Sequence, residues 1–301
     1  MPFNIKTNRN KDKILLIDFQ NLSIRNLMKS KEEKVFLFWR FMTTKSLLGV
    51  INKFSPTKVI IALESKLNWR NAIYPPYKAH RKEDRKSSPI DWDGFYKEND
   101  KLLRELEILL PFYFISINGL EADDLIAYFT EYFEGNATET IIVSSDKDFH
   151  HLMLCGANIY DPMKNVLYNP SQFPKEILEK DLFVKICTAD GPDKEGNGPG
   201  KGDNIPNLFR GCGEKRAELI WELGIWHQGP DIVENYNRNK KLMDLRERDK
   251  GADDSVYNLY NRYEIPYDSK LFKEWLSSNN MNSILEKFKS YDELLKNLGK
   301  G

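Results

Sequence analysis

Residues 112–148 read FYFISINGLEADDLIAYFTEYFEGNATETIIVSSDKD, and the fold is decided within them. The apolar run at 112–117 predicts a strand. EADD at 121–124 opens a segment, 122–133, whose apolar residues recur at helical spacing. A second short apolar run at 140–144 predicts another strand, and it empties into Asp146-Lys147-Asp148. Strand, acids, helix, strand, acids is the grammar of a parallel α/β unit.

The same pattern extends upstream. KILLIDF at 13–19 predicts a strand ending at Asp18, and KVIIAL at 58–63 one ending at Glu64. Helices are predicted over 33–54, 90–110 and 175–188. A short strand pair is predicted near 158–168, turning at Asp161-Pro162. The stretches 65–88 and 191–202 read as irregular. The expected architecture is a central, mostly parallel twisted sheet flanked by helices over 1–189, followed by a helical C-terminal region over 190–301.

Composition narrows the class without naming a function. The chain has 301 residues, 41% hydrophobic and 30% charged, enough for a sizeable core under a solvated surface. Lys+Arg and Asp+Glu are both 45, so net charge selects no partner and local clustering must. The three cysteines (Cys155, Cys187, Cys212) are far apart and in no zinc spacing, which points to a reducing, cytoplasmic setting. No stretch reads as a signal or membrane segment. A monomer is expected.

In an open parallel sheet the C-terminal strand ends line one edge, where ligands bind. Asp18, Glu64, Glu121, Asp123, Asp124, Asp146 and Asp148 should therefore meet there. One acid at a helix start is an ordinary cap, and Asp124 or Asp148 alone would need no function. Three acids in four residues exceed a cap. Each like-charged pair at ~4 Å costs about 1 kcal/mol even in a water-like medium. Divalent cations remove that cost, and oxygen-only donors suit Mg²⁺ or Mn²⁺. His80, His150, His151 and His227 form no metal-binding pair, and His150 and His151 read as packing or solvent residues. Many carboxylates around two such ions suit phosphodiester hydrolysis.

Residues 66–86, KLNWRNAIYPPYKAHRKEDRK, interleave Lys and Arg with Trp69, Tyr74 and Tyr77 directly after Glu64. That combination suits stacking on bases and neutralising phosphates. Gly211-Cys212-Gly213-Glu214-Lys215 reads as a glycine turn exposing backbone N–H groups at a helix start. Trp221, Trp226, Tyr257, Tyr260 and Trp275 are expected in the core.

Together LLIDF, EADD, SSDKD and GDNIP (202–206) resemble the 5′ nuclease, or flap endonuclease, family, and within it the branch holding the ribonuclease H of T-even bacteriophages. The resemblance implies a PIN-like fold with a helical arch at 65–88 and a helix–hairpin–helix at about 203–222. It implies Mg²⁺-dependent 5′→3′ exonuclease and flap cutting on branched, nicked or flapped DNA and on RNA–DNA hybrids. Asp18, Glu64, Glu121, Asp123 and Asp124 match acids of a first metal, and Asp203 an acid of a second. Asp146 and Asp148 fall between the two. Gly200 stands where the family has an Asp, and Asp190 is the candidate replacement. Arg70, Tyr77, Lys78, Arg81 and Lys82 would face DNA, with Lys78 and Arg81 on the scissile phosphate. Gly211, Gly213 and Lys215 would grip duplex phosphate, with K⁺ at the turn. A single-strand-binding protein or sliding clamp would be the protein partner. Two alternatives are a catalytically silent junction-binding protein and a PIN-like RNA endonuclease.

Overall fold

The computed structural model describes residues 12–29, 35–136, 138–189, 203–265 and 267–298. Asp190, Gly200 and the irregular stretch expected at 191–202 lie outside the described residues.

Six strands form one sheet: β1 (Asp12–Asp18), β2 (Lys58–Ala62), β3 (Tyr113–Ile115), β4 (Thr138–Val143), β5 (Asn158–Asp161) and β6 (Val166–Tyr168), in the order β3-β2-β1-β4-β5-β6. All pairings are parallel except β5 with β6, a hairpin around the expected Asp161-Pro162 turn. The chain fills one side of β1 with β2 and β3, then crosses to β4 on the other. The crevice between β1 and β4 is therefore a topological switch point, the place where such sheets bind ligands.

β1 carries Ile14 to Ile17 as an unbroken apolar run, all buried, because both faces of the sheet are covered. Leu15 and Ile17 face a layer made by α1 (Phe19–Lys29), α2 (Val35–Phe54) and, beyond the short helices α3 (Arg70–Ile73) and α4 (Arg81–Ser87), α5 (Trp92–Leu109). Ile14 and Leu16 face α6 (Ala122–Phe133) and a 3₁₀ run, Lys147–Cys155.

The C-terminal part opens with α7 (Lys175–Thr188), α8 (Glu214–Leu223) and α9 (Pro230–Met243), which share their own apolar clusters. It then returns to the sheet on both faces. α10 (Asp253–Arg262) buries Val256 and Tyr260 against the α6 side. On the opposite face α11 (Ser269–Ser278), α12 (Asn282–Leu285) and α13 (Phe288–Asn297) bury Phe272, Leu276, Ile284 and Leu295. Trp275 of α11 donates its indole N–H to Glu105 of α5 at 2.6 Å, while Arg40 of α2 pairs with Glu105 and lies over the Trp275 ring.

Two local expectations need correction, and one helix is new: α1 over 19–29 drew no reading from the sequence, and it buries Phe19, Leu22 and Leu27 against the sheet. The irregular 65–88 stretch holds α3 and α4, separated at Pro75-Pro76. Trp226 and Tyr257 are exposed (72% and 48%) rather than core.

His151 is buried, and its Nε2 accepts the Leu245 N–H at 3.1 Å. Burial pushes the imidazole down to about 4, against the pull of Asp244. The unfolded chain takes up this proton below about pH 6.5, the folded chain only near 4. Stability from this group is thus complete above pH ~6.5 and is lost as pH falls toward 4. Denaturant titration should show about 2 kcal/mol lost from it between pH 7 and 5. His151→Gln, an acceptor that does not titrate, should flatten that part of the profile.

Candidate active site

Strand register brings the acids together. Asp18 pairs across from Ala62 of β2, and Ile17 from Val143 of β4, so Glu64 and Ser144 fall just beyond the same line. Asp18 precedes α1 and caps it: its Oδ1 accepts the Asn21 N–H at 3.0 Å, while Oδ2 accepts the Ser144 hydroxyl at 3.0 Å. Glu121 and Asp123 arrive on the first turn of α6, and Glu64 accepts the Ala122 N–H there.

The electrostatics show how close these groups are. Burial first, then the Asp18 charge, hold Asp123 well above the ordinary carboxylate range. Burial also raises Asp18. Glu64 is pushed up to about 7 by desolvation in the cleft, with Glu121 and Asp18 adding. Glu121 goes the other way: burial pushes it up, but Lys78 and Arg70 outweigh that. Lys78 acts on all four of these acids. Its Nζ lies 2.5 Å from Glu121 Oε1 and 3.7 Å from Asp203 Oδ1.

Asp146 and Asp148 form a second group at the end of β4. The Asp148 N–H donates to Asp146 Oδ1 at 2.9 Å, and burial with the Asp148 charge raises Asp146 to about 6. Lys185 of α7 pairs with Asp148 and, against burial, keeps it below its ordinary value. Asp203 is held by Arg81 at 2.6 Å, and its main-chain oxygen accepts the Lys78 N–H at 3.0 Å. Asp148 and Asp203 line the same small void as Glu121 and Asp123.

Three of the expected site residues stand buried and paired with one another or with acids. Asp124, expected at the metal, is fully buried and committed elsewhere. Arg70 grips both of its oxygens at 2.7 and 2.9 Å, and the Trp69 indole and the Glu121 N–H add 3.1 and 2.9 Å contacts. Arg70, expected to face DNA, is 1% exposed; it also holds Glu121 at 2.8 Å and the Leu242 carbonyl at 2.9 Å. Tyr77 is likewise buried, its hydroxyl 3.0 Å from Glu121 and 3.1 Å from Asp203. A guanidinium left among carboxylates finds partners before it finds solvent.

Lys82 is exposed on α4, and Gly211, Gly213 and Lys215 are exposed at the entry to α8. Gly211 has φ +83, a conformation few other residues adopt. Within 203–222 the structure has this turn and most of α8; the helix that packs on α8 is α7. Sequence reasoning missed Ser144 and Lys185, since nothing local marks a serine or lysine that meets an acid from another element.

The donor set fits a hard divalent ion: all oxygen, from several strand ends, with too little positive charge nearby. Among the described residues no three His, Cys, Asp or Glu side chains already stand close enough to grip one. Lys78 and Arg81 occupy Glu121 and Asp203 instead.

The model of the N-terminal, resolvase-like domain of 5′-3′ exonucleases matches residues 13–179. The chain belongs to the 5′-3′ exonuclease family. Membership makes it a nuclease, as its motifs imply. Its curated relatives include the ribonuclease H of Enterobacteria phage T4, 24% identical over 296 residues, covering 92% of this chain and 96% of that one. The 5′-3′ exonuclease of Buchnera aphidicola is 29% identical over 205 residues, covering 67% of this chain and 63% of its own. The chain spans 26% of the length of DNA polymerase I from Thermus thermophilus. Among solved structures, the T5 D15 protein co-crystallised with metal ions superimposes with a TM-score of 0.61 at 18% identity, over 95% of this chain and 99% of that one. The fold of this 5′-3′ exonuclease family member is therefore the one its motifs imply.

Arg70→Ala takes the cation from buried Asp124, leaves Glu121 with Lys78 alone, and should cost about 3–5 kcal/mol in denaturant unfolding. Adding Asp124→Ala should cost much less than the sum of the single losses.

Proposed function

We propose that this chain is a divalent-metal-dependent 5′→3′ exonuclease and flap endonuclease. Its substrates are 5′-flapped, nicked or branched DNA, and RNA primers in RNA–DNA hybrids during replication and repair. The carrying observation is that Asp18, Glu64, Glu121 and Asp123 share one ammonium, Lys78, at the switch point of the sheet.

Asp18, Glu64, Glu121 and Asp123 would hold the first ion, Mg²⁺ with Mn²⁺ as a substitute. Asp146, Asp148 and Asp203 would supply the second, with Asp190 a further candidate. Such ions lower the pKa of water and neutralise charge on the leaving oxygen when bound.

The rest is the work of this chain's side chains. Burial keeps Lys78 from solvent, yet Asp203, Glu121 and Asp123 outweigh it and hold the ammonium charged. Lys78 and Arg81, which pair with Glu121 and Asp203, would supply positive charge to the scissile phosphate if those acids served as ion ligands. Tyr77, kept protonated by burial and by both acids, holds the arch base above Glu121. Asp124 acts through Arg70 as a positioning residue. The exposed turn at Gly211 and Gly213, with Lys215, would bind a duplex phosphate without reading sequence, and K⁺ would be its ion. The cytoplasm is the compartment this reading implies.

The test is cleavage of a 5′-labelled flapped duplex in Mg²⁺. Wild type should release short 5′ products. Asp123→Asn with Asp146→Asn should lose cleavage, and Lys78→Ala should lower kcat about 10²–10³-fold with substrate binding retained. Binding without cutting in either metal would instead favour the silent junction-binding protein.

A further inference from the structure

A fifth strand end carries an acid outside the two groups described. Asp161 closes β5 and is 4% exposed. β5 runs beside β4, and the Ser144 N–H donates to the Tyr160 carbonyl at 3.2 Å, so Asp161 lies alongside the start of the 144–148 loop. Ser145 donates its hydroxyl to Asp161 Oδ1, and Arg25 of α1 donates to the Ser145 hydroxyl oxygen. Arg25 stands 4.0 Å from Asp161 Oδ1. The same Asp161 oxygen accepts the Met163 N–H at 2.8 Å, which locks it to its own turn.

Adjacent serines thus hold the loop from two sides. Ser144 reaches into the acid cluster, donating to Asp18 Oδ2 at 3.0 Å and accepting the Asp146 N–H at 3.1 Å. Ser145 reaches away from it, to Arg25 and Asp161. The outer hold adds to the Lys185 pairing with Asp148 in keeping Asp146 and Asp148, which repel each other, at the sheet edge. Ion ligands must stand within a few tenths of an ångström of their places, and groups that orient ligands without touching the metal typically govern 10–100-fold in affinity.

We propose that Ser145, Asp161 and Arg25 form a positioning clamp that sets the carboxylates of Asp146 and Asp148 for divalent-ion binding. This rests on the metal-dependent reading above. Ser145, Asp161 and Arg25 contact one another rather than Asp146 or Asp148, and would act through the 144–148 backbone.

The experiment is calorimetric titration of the whole chain with Mn²⁺ alone, beside thermal unfolding in EDTA. Ser145→Ala should weaken Mn²⁺ binding about tenfold, with the EDTA unfolding midpoint moved by less than about 3 °C. Asp161→Asn should weaken it similarly, and the double variant should be no worse than either single, because the groups act as one unit. Ser145→Thr, which keeps the hydroxyl, should restore wild-type affinity. Equal Mn²⁺ affinity in wild type and Ser145→Ala, additive single losses, or no Mn²⁺ uptake by wild type would each overturn the clamp. So would a weakening that comes with a large fall in the EDTA midpoint, which assigns the loss to folding. Mn²⁺ uptake without flap cleavage would sink the flap-cutting reading while leaving the clamp standing.

Discussion

Carboxylates outnumber the cations beside them at one sheet edge, where Lys78 acts on four acids at once, and much of the molecule is arranged around that imbalance. Asp18 and Glu64 come from two strand ends and Glu121 and Asp123 from one helix start, and Lys78 acts on all four. The register of β1 with β2 and β4 leaves the acids no route apart, since moving one would slide a buried strand. The result is an edge whose acids Asp18, Glu64 and Asp123 sit above their ordinary protonation range. Such a site takes up positive charge from whatever source offers it, ion or side chain.

The basic arch answers the same imbalance. Its base is pinned by Arg70, which Asp124 and Glu121 hold in the interior, and by Tyr77 beneath. Past that point the chain takes a left-handed turn at Lys78 (φ +55), an unusual conformation for a lysine that costs about 1 kcal/mol. The Lys78 main-chain bond to Asp203 and its side-chain bond to Glu121 offset it. The 66–86 stretch thus divides into a buried root, with Arg70 and Tyr77 on the acids, and an outer part in which Arg81 pairs with Asp203 and Lys82 is exposed.

A rigid platform is needed to hold like charges together, and the helices supply it. The last three helices bury Phe272, Leu276 and Leu295 beneath the sheet, far in sequence from the acids they support. α10 and the 3₁₀ run do the same on the other face, with His151 tying the run to Leu245. Asp161 extends the support to the outer side of the 144–148 loop.

The sequence by itself determined the parallel α/β plan, the strand runs at 13–19, 58–63 and 140–144, and the set of acids at their ends. Period and composition are local properties, and buried parallel strands read as unbroken apolar runs. The motif order also sufficed to place the chain among the 5′ nucleases. What each charge does was decided only in three dimensions. Asp123 and Asp124 are neighbours in the chain, yet one turns to the acid cluster and the other to Arg70, because successive helical positions face different ways. Arg70, Tyr77 and Lys78 stand close together in one basic stretch, yet two are buried at the acids and the third bridges Glu121 and Asp203. Lys185, Ser145 and Asp161 gave no signal, since their partners lie in other elements. A carboxylate's role is set by the nearest opposite charge, and that distance is a property of the fold.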